Sequence, residues 1–200
     1  MHVRQTIGVI VIALCCIQQA VLAESVQTFG DDFDGWTEAA GEVTQIDFAG
    51  LGNLTPVDEQ YSDLGVQFPG ADWTFFDIDV PDEFTLRGLD EIHLTFEQPR
   101  SAIAVDYLGA AAFELYNNGE LIYPTTGNPG FSGFDGVVEF GGVVSEEPFD
   151  EVYIRNFQAT PEGLAAVVID NLYFNNPIPA APSFALLGFA LVRRRRRCRE

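Results

Sequence analysis

Oxygen ligands dominate the chemistry available to this chain. Asp31, Asp32 and Asp34 crowd one early segment, Asp77, Asp79 and Asp82 another, and Asp170 precedes Asn171 in the last apolar run. Calcium takes several hard oxygens from carboxylates and backbone carbonyls, so Ca2+ is the cofactor these clusters suit. None of them has the loop spacing of an EF-hand. Asp77 and Asp79 would share one face of a strand, which makes either a local site or a solvated one.

Nucleophilic catalysis has few parts to work with. Between residues 24 and 176 there is one histidine, His93, with no cysteine and no lysine. A serine-histidine-acid system would rest on His93 alone, and no nucleophile-elbow sequence accompanies it. A zinc site needs several His or Cys ligands and is disfavoured for the same reason. His93 alternates with Ile92 and Leu94, which predicts a solvent-facing bystander. Paired carboxylates are abundant enough for a glycosidase, which needs two of them across a cleft. The inventory leans away from an enzyme and leaves a glycan-active hydrolase as the alternative.

Aromatic residues supply the other candidate contacts. Trp73, Phe75 and Phe76 fall close together, and Phe131 and Phe134 lie among glycines. An exposed ring stacks on a sugar, whereas the same ring turned inward fills a core. Trp73, Phe76, Phe131 and Phe134 are the ligand-binding candidates.

Charge limits the partners. Residues 24–176 hold 29 of the 30 acidic residues and only Arg87, Arg100 and Arg155, a balance of 29 carboxylates less three guanidiniums, or −26. Such a surface repels nucleic acid, which is excluded as a partner, and stays soluble by self-repulsion. With Cys15, Cys16 and Cys198 all outside it, the segment must stand on packing without disulfides, which about 150 residues allow.

The two ends read as addresses. Residues 1–23 have the form of a secretory signal: Arg4 at the charged start, an apolar run from Ile7 to Ile17, and small residues Val21 and Ala23 at a signal-peptidase cleavage point. Residues 177–200 combine the Pro/Ala spacer Pro179-Ala180-Ala181-Pro182, the apolar stretch Ser183 to Val192, and a block opening with Arg193, Arg194 and Arg195. A basic block after an apolar run marks the end held inside the cell. As a helix, ten residues span about 15 Å, roughly half of a hydrocarbon core, so residues 178–192 suit a transient membrane helix rather than a resident anchor.

Positioning falls to short strands. Thr44, Ile46 and Phe48 alternate, as do Ile92, Leu94 and Phe96, Ile103, Val105 and Tyr107, and Val152 and Ile154, the pattern of half-buried antiparallel strands. Asn117-Asn118-Gly119 predicts a hairpin turn, and Gln98-Pro99-Arg100 a second turn. Ala166 to Phe174 is apolar on both sides and predicts a strand in the middle of a sheet. Phe33, Trp36 and Ala40 share a helical face with acids in the first turn and Gly41 at the stop, which predicts a short helix capping one end of the domain.

The C-terminal arrangement resembles the PEP-CTERM class of bacterial sorting tails, without the central glutamate of the Pro-Glu-Pro signature. The resemblance implies recognition by an exosortase, a membrane protease that removes such tails on the way to the cell envelope or extracellular matrix. The order of pieces in the middle resembles a β-sandwich domain of surface-sorted bacterial proteins. They are the short helix, Ile46-Asp47-Phe48, Thr55-Pro56-Val57 through Gln60-Tyr61 to Leu64-Gly65-Val66-Gln67-Phe68, Leu94-Thr95-Phe96-Glu97-Gln98-Pro99, and Ile169-Asp170-Asn171-Leu172-Tyr173-Phe174. That likeness implies an all-β, antiparallel, two-sheet jelly-roll-like sandwich of carbohydrate-binding-module type over residues 24–176. Structural calcium joins the chain ends in such modules, which puts Asp31 and Asp170 forward as the metal pair. The expectation is an exported, non-catalytic protein with weak glycan or surface binding; a purely structural matrix protein is the remaining alternative.

Overall fold

The computed structural model describes residues 26–70, 72–76, 84–124, 130–132, 137–156 and 166–177, with the backbone alone for 72–76, 84 and 132. Among these residues twelve strands and one α-helix follow in chain order: β1 (Val26–Gly30), α1 (Phe33–Ala40), β2 (Val43–Ile46), β3 (Pro56–Val57), β4 (Val66–Gln67), β5 (Asp72–Phe76), β6 (Phe84–Leu89), β7 (Glu91–Leu108), β8 (Ala110–Asn117), β9 (Glu120–Tyr123), β10 (Phe131–Ser132), β11 (Val138–Arg155) and β12 (Ala166–Asn175). Every strand pairing is antiparallel. The strands join into one hydrogen-bonded network in the order β10-β8-β11-β7-β12-β6-β5-β3, with β1, β2, β4 and β9 added along its flanks.

Two strands of 18 residues each, β7 and β11, organise the network. Fully extended, each would reach about 60 Å at ~3.3 Å per residue, longer than the roughly 40 Å breadth of a compact domain of this size. They must bend, and the bend falls where their pairing breaks, between Val144↔Ala102, Phe149↔Arg100 and Glu151↔Thr95. The extra residues of β11 include Pro148 and those of β7 include Pro99, so both prolines occupy positions where no ladder bond is required of them. The predicted turn at Gln98-Pro99-Arg100 is therefore a compensated pair of bulges inside continuous strands. Each long strand changes its outer neighbour at the bend: β7 passes from β4 to β12, and β11 from β1 to β8.

The bulges also reverse which positions face the core. Ile92, Leu94 and Phe96 point inward before the bend of β7, and Ile103, Val105 and Tyr107 after it. On β11 the inward set changes from Val143 and Phe149 to Val152 and Ile154. An odd offset along a strand moves every later side chain to the other face, so the predicted alternations hold within each half. β12 lies between β7 on one side and β6 and β2 on the other, the interior position its two-sided apolar pattern predicts. Asn118 and Gly119 take φ values of 50° and 78° in the β8–β9 hairpin.

The helix is where the sequence reading needs correction. α1 forms as predicted, with Asp32 as N-cap accepting from the Gly35 amide and Gly41 closing the last turn at φ 81°. It lies on a sheet face, however, and does not cap an end. Trp36, fully buried, sits over a trough of small residues, Ala102, Ala104 and Gly142. Its indole Nε1 donates to the Val143 carbonyl at 3.2 Å. A Cβ at Gly142 would come within 2.7 Å of the indole. The missing side chain at that position admits the tryptophan and thereby decides where the helix docks.

No helix among the described residues is long and apolar enough to cross a membrane. The predicted signal at 1–23 and the sorting residues Pro179, Ala180, Ala181, Pro182, Arg193, Arg194 and Arg195 lie outside the described residues.

Candidate functional site

α1 covers the outer face of the network on one side of the bend. On the other side β4, β7, β11, β8 and β9 lie in sequence, and their register fixes three cross-strand rows of outward side chains. Gln67, Thr95, Glu151, Tyr116 and Leu121 form the first row. His93, Tyr153 and Glu114 form the second, and Glu91, Arg155 and Ala112 the third. Strands sit about 4.8 Å apart, which makes the first row about 19 Å wide. The intervening residues Ile92, Leu94, Leu115, Val152 and Ile154 are buried beneath them.

These rows are bound into one network. His93 Nε2 lies 2.8 Å from Glu151 Oε1, and the Tyr153 hydroxyl donates to the same oxygen at 3.0 Å. Arg155 donates through Nε to Glu114 at 3.0 Å and reaches Glu91 through Nη1 at 2.8 Å. Its guanidinium also stands 5.2 Å from the Tyr153 ring centre, within cation–π range. Tyr116 meets Tyr153 edge to face at 5.5 Å and donates weakly to Glu114 at 3.5 Å. Burial, and then the bond to Glu151, push the Tyr153 hydroxyl up to about 12. Burial and Glu114 raise Tyr116 in the same direction. Partly exposed ion pairs of this kind add little stability, roughly 0–1 kcal/mol each. Their effect here is to hold aromatic rings and oxygen acceptors in fixed positions on an open face, an arrangement that can stack on a sugar and accept its hydroxyl protons.

A groove adjoins the first row. Its volume is about 360 Å3, and Ser62, Gly65, Gln67, Thr95, Phe96 and Glu97 line it. The outer wall is a single 3-10 turn, Ser62–Leu64, closed by Gly65 in the left-handed conformation at φ 75°. The Glu97 amide donates to the Gly65 carbonyl at 2.9 Å and ties the wall to β7. Arg100, only 3% exposed, braces the wall from below. Its Nη2 donates to the Leu64 carbonyl at 3.2 Å and its Nη1 to the Asn175 carbonyl at 3.0 Å. Its guanidinium lies 5.4 Å from the Phe96 ring centre and 5.1 Å from that of Phe174. No carboxylate pairs with it among the described residues, and burial lowers its affinity for the proton. A second cavity of about 240 Å3 adjoins the same turn, beside Asp63, Gln98 and Arg100, and shares Gly65 and Glu97 with the first.

The residues singled out from sequence lie mostly elsewhere. Phe131 packs over Gly141 and near Tyr107 and Phe113, at 6.3 and 6.0 Å between ring centres, and so fills space beside the core. Trp73 and Phe76 belong to β5, where they pair with Arg87 and Phe84 of β6; their side chains, and all of Phe134, Asp77, Asp79 and Asp82, lie outside the described residues. Asp31 is exposed at φ 54°, its amide bound to the Phe140 carbonyl at 3.0 Å. Asp170 is buried at a bulge of β12 and accepts from Asn171 at 3.0 Å; the same amide donates to Asp106 at 2.9 Å, and Asp106 takes the Tyr173 hydroxyl at 2.7 Å. Among the described residues no group of three His, Cys, Asp or Glu converges as metal ligands.

His93 faces outward as predicted, and there it bonds to Glu151 and stacks on Tyr153. The missed residues, Tyr116, Tyr153 and Glu151, carry one sequence signal: each occupies an outward position of a strand whose alternate positions are apolar. Polar aromatics in such positions mark a face, and their partners lie too far along the chain to be read from it.

Comparison of the chain with protein-family models, with curated proteins and with solved structures gives no match. The reading of function therefore rests on this geometry.

Proposed function

We propose that the chain is an exported, non-catalytic protein that binds glycan weakly on the open face of β7, β11 and β8. In this reading the network is folded at its bend into a jelly-roll-like two-layer sandwich over residues 24–176. A signal at 1–23 directs export, and an exosortase-type membrane protease reads the tail at 177–200 on the way to the envelope or matrix. One observation carries the binding function: register brings His93, Tyr153 and Tyr116 onto one solvent face together with three carboxylates and a guanidinium. Rings that present an apolar surface beside fixed hydrogen-bonding groups are what a sugar needs.

The test is retention of the full chain on immobilised oligosaccharides, with a Tyr116→Ala, Tyr153→Ala double variant as control. Retention lost in the variant supports the face as the site. Retention unchanged in the variant, or none by the native chain, overturns it. Release of reducing ends from a retained oligosaccharide would replace it with the hydrolase alternative, in which Glu114 and Glu151, neighbours on the same face, become the first carboxylates to mutate.

A further inference from the structure

Two kinds of polar side chain meet where the first row ends. On the face itself each carboxylate already has protein partners: Glu151 holds His93 and Tyr153, and Glu114 and Glu91 hold Arg155. In the adjoining groove the opposite holds. Ser62, Gln67, Thr95 and Glu97 line it, and none of their side chains has a hydrogen-bond partner among the described residues. They nonetheless stand on braced backbone, because Arg100 and the Gly65–Glu97 bond fix the wall of the groove against β7. Their donors and acceptors are unused and their backbone is fixed, so a ligand that fills the groove has only these side chains, and no wall, to order.

The donor set states what the ligand presents. A carboxylate accepts from two adjacent hydroxyls at once, an amide both donates and accepts, and the two hydroxyl side chains can do either. At about 360 Å3 the groove stands near the lower end of small-ligand pockets, the scale of one sugar ring. Charge excludes an acidic unit. Glu97 lines the groove, Asp63 sits on its wall, Glu151 is Thr95's cross-strand neighbour, and the one nearby cation, Arg100, is buried beneath and occupied by carbonyls. Bringing a uronate to the groove sets like charges against each other, and among the described residues no exposed cation lines it; Arg155, on the third row, is held by Glu91 and Glu114.

Building on the binding-face reading, we propose that the groove is a subsite for one non-anionic pyranose unit of the bound glycan, held through its adjacent hydroxyls by Glu97 and Gln67. The neighbouring units lie across the first two rows, on Tyr116 of the first and Tyr153 of the second. The groove thus selects the ligand, and the aromatic face adds affinity without regard to sequence of sugars.

An array of neutral and uronic-acid oligosaccharides of equal length, probed with the full chain, reads both claims. Neutral chains are expected to be retained and uronates not. For the best-retained neutral chain, Glu97→Gln and Gln67→Ala should each weaken binding about tenfold, the loss expected for a hydrogen bond to a charged or fixed polar group. Glu38→Gln, which removes the same charge from α1 on the covered face, should leave it unchanged. Both groove residues are exposed, and matching melting temperatures confirm that the variants stay folded. Retention that depends on Tyr116 and Tyr153 but ignores Glu97 and Gln67 overturns the groove and leaves the face standing. Preference for uronates overturns the charge argument. No retention of any chain overturns the binding-face reading itself.

Discussion

The imidazole of His93 lies flat on the phenol ring of Tyr153, their centres 4.2 Å apart and their planes 8° from parallel, across two strands that meet only because β7 and β11 pair in this register. Both residues also bind Glu151. The stack covers one face of the Tyr153 ring and fixes its orientation, so a sugar would meet the ring on its remaining exposed surface. Tyr153→Ala should therefore weaken glycan binding about tenfold, corresponding to ~1–1.5 kcal/mol for an aromatic contact, whereas Tyr153→Phe, which keeps the ring, should lose less. Calorimetric titration with a retained oligosaccharide checks the order of the two effects; equal losses would mean that the hydroxyl, and not the ring, makes the contact.

Alkaline pH should destabilise the fold. The chain has six tyrosines, and all are shifted upward, Tyr61 and Tyr153 to about 12, with burial as the first cause in each. A raised folded-state value means that the unfolded chain loses its proton first. The resulting stability is fully present below about pH 10 and disappears as pH rises toward 12. Melting temperatures should hold steady up to pH 10 and then fall, in step with tyrosinate absorbance. A melting temperature unchanged between pH 10 and 12 would refute this.

The seating of α1 predicts a paired effect. Trp36→Ala empties a fully buried site and should cost about 3–5 kcal/mol. Gly142→Ala places a methyl group within 2.7 Å of the indole and 2.8 Å of the Ala104 side chain, and should cost about 1–3 kcal/mol through overpacking. In the Trp36→Ala background the Gly142 substitution should cost much less, because its main obstruction is gone. Urea unfolding of the four proteins gives the coupling; strictly additive losses would show that the two residues do not meet.

Arg100 predicts a salt-independent loss. Its guanidinium bonds to carbonyls and stacks on rings, with no carboxylate partner among the described residues. Arg100→Ala leaves the Leu64 and Asn175 carbonyls short of a donor, at about 1–3 kcal/mol for each buried group. Lysine, which lacks the planar fork, should recover only part. The deficit should be the same in low and high salt, since no ion pair is screened. Limited proteolysis should find the Ser62–Gly65 turn cut faster in the variant. A deficit that shrinks in high salt would reveal a hidden carboxylate partner.

Much of the local structure follows from neighbours in the chain. Ile92, Leu94 and Phe96 alternate inward because the side-chain period of a strand is two. Asn118 and Gly119 turn because they tolerate positive φ, and Asp32, Trp36 and Gly41 delimit and orient a helix through spacing alone. The apolar run from Ala166 predicts an interior strand because it has no solvent side. Pro99 misleads for a physical reason: proline forbids a ladder bond, which ends a strand or merely bulges it, and the choice depends on whether the partner strand bulges too. Here Pro148 supplies the matching irregularity 49 positions later.

The candidate site was legible only in part. Local sequence places His93, Tyr116 and Tyr153 on outward faces but cannot say that those faces are one face. That juxtaposition depends on the register of β7, β11 and β8, which is set by core contacts between residues distant in sequence. The groove depends further on Arg100, whose buried guanidinium donates to carbonyls of Leu64 and Asn175, residues that no local pattern links to it. By itself the sequence determined composition, charge and element types, because these depend on residues close together in the chain. The tertiary structure decided where α1 docks, where the long strands bend and which polar groups converge, because those outcomes arise from volume and hydrogen-bond matches between segments that only folding brings together.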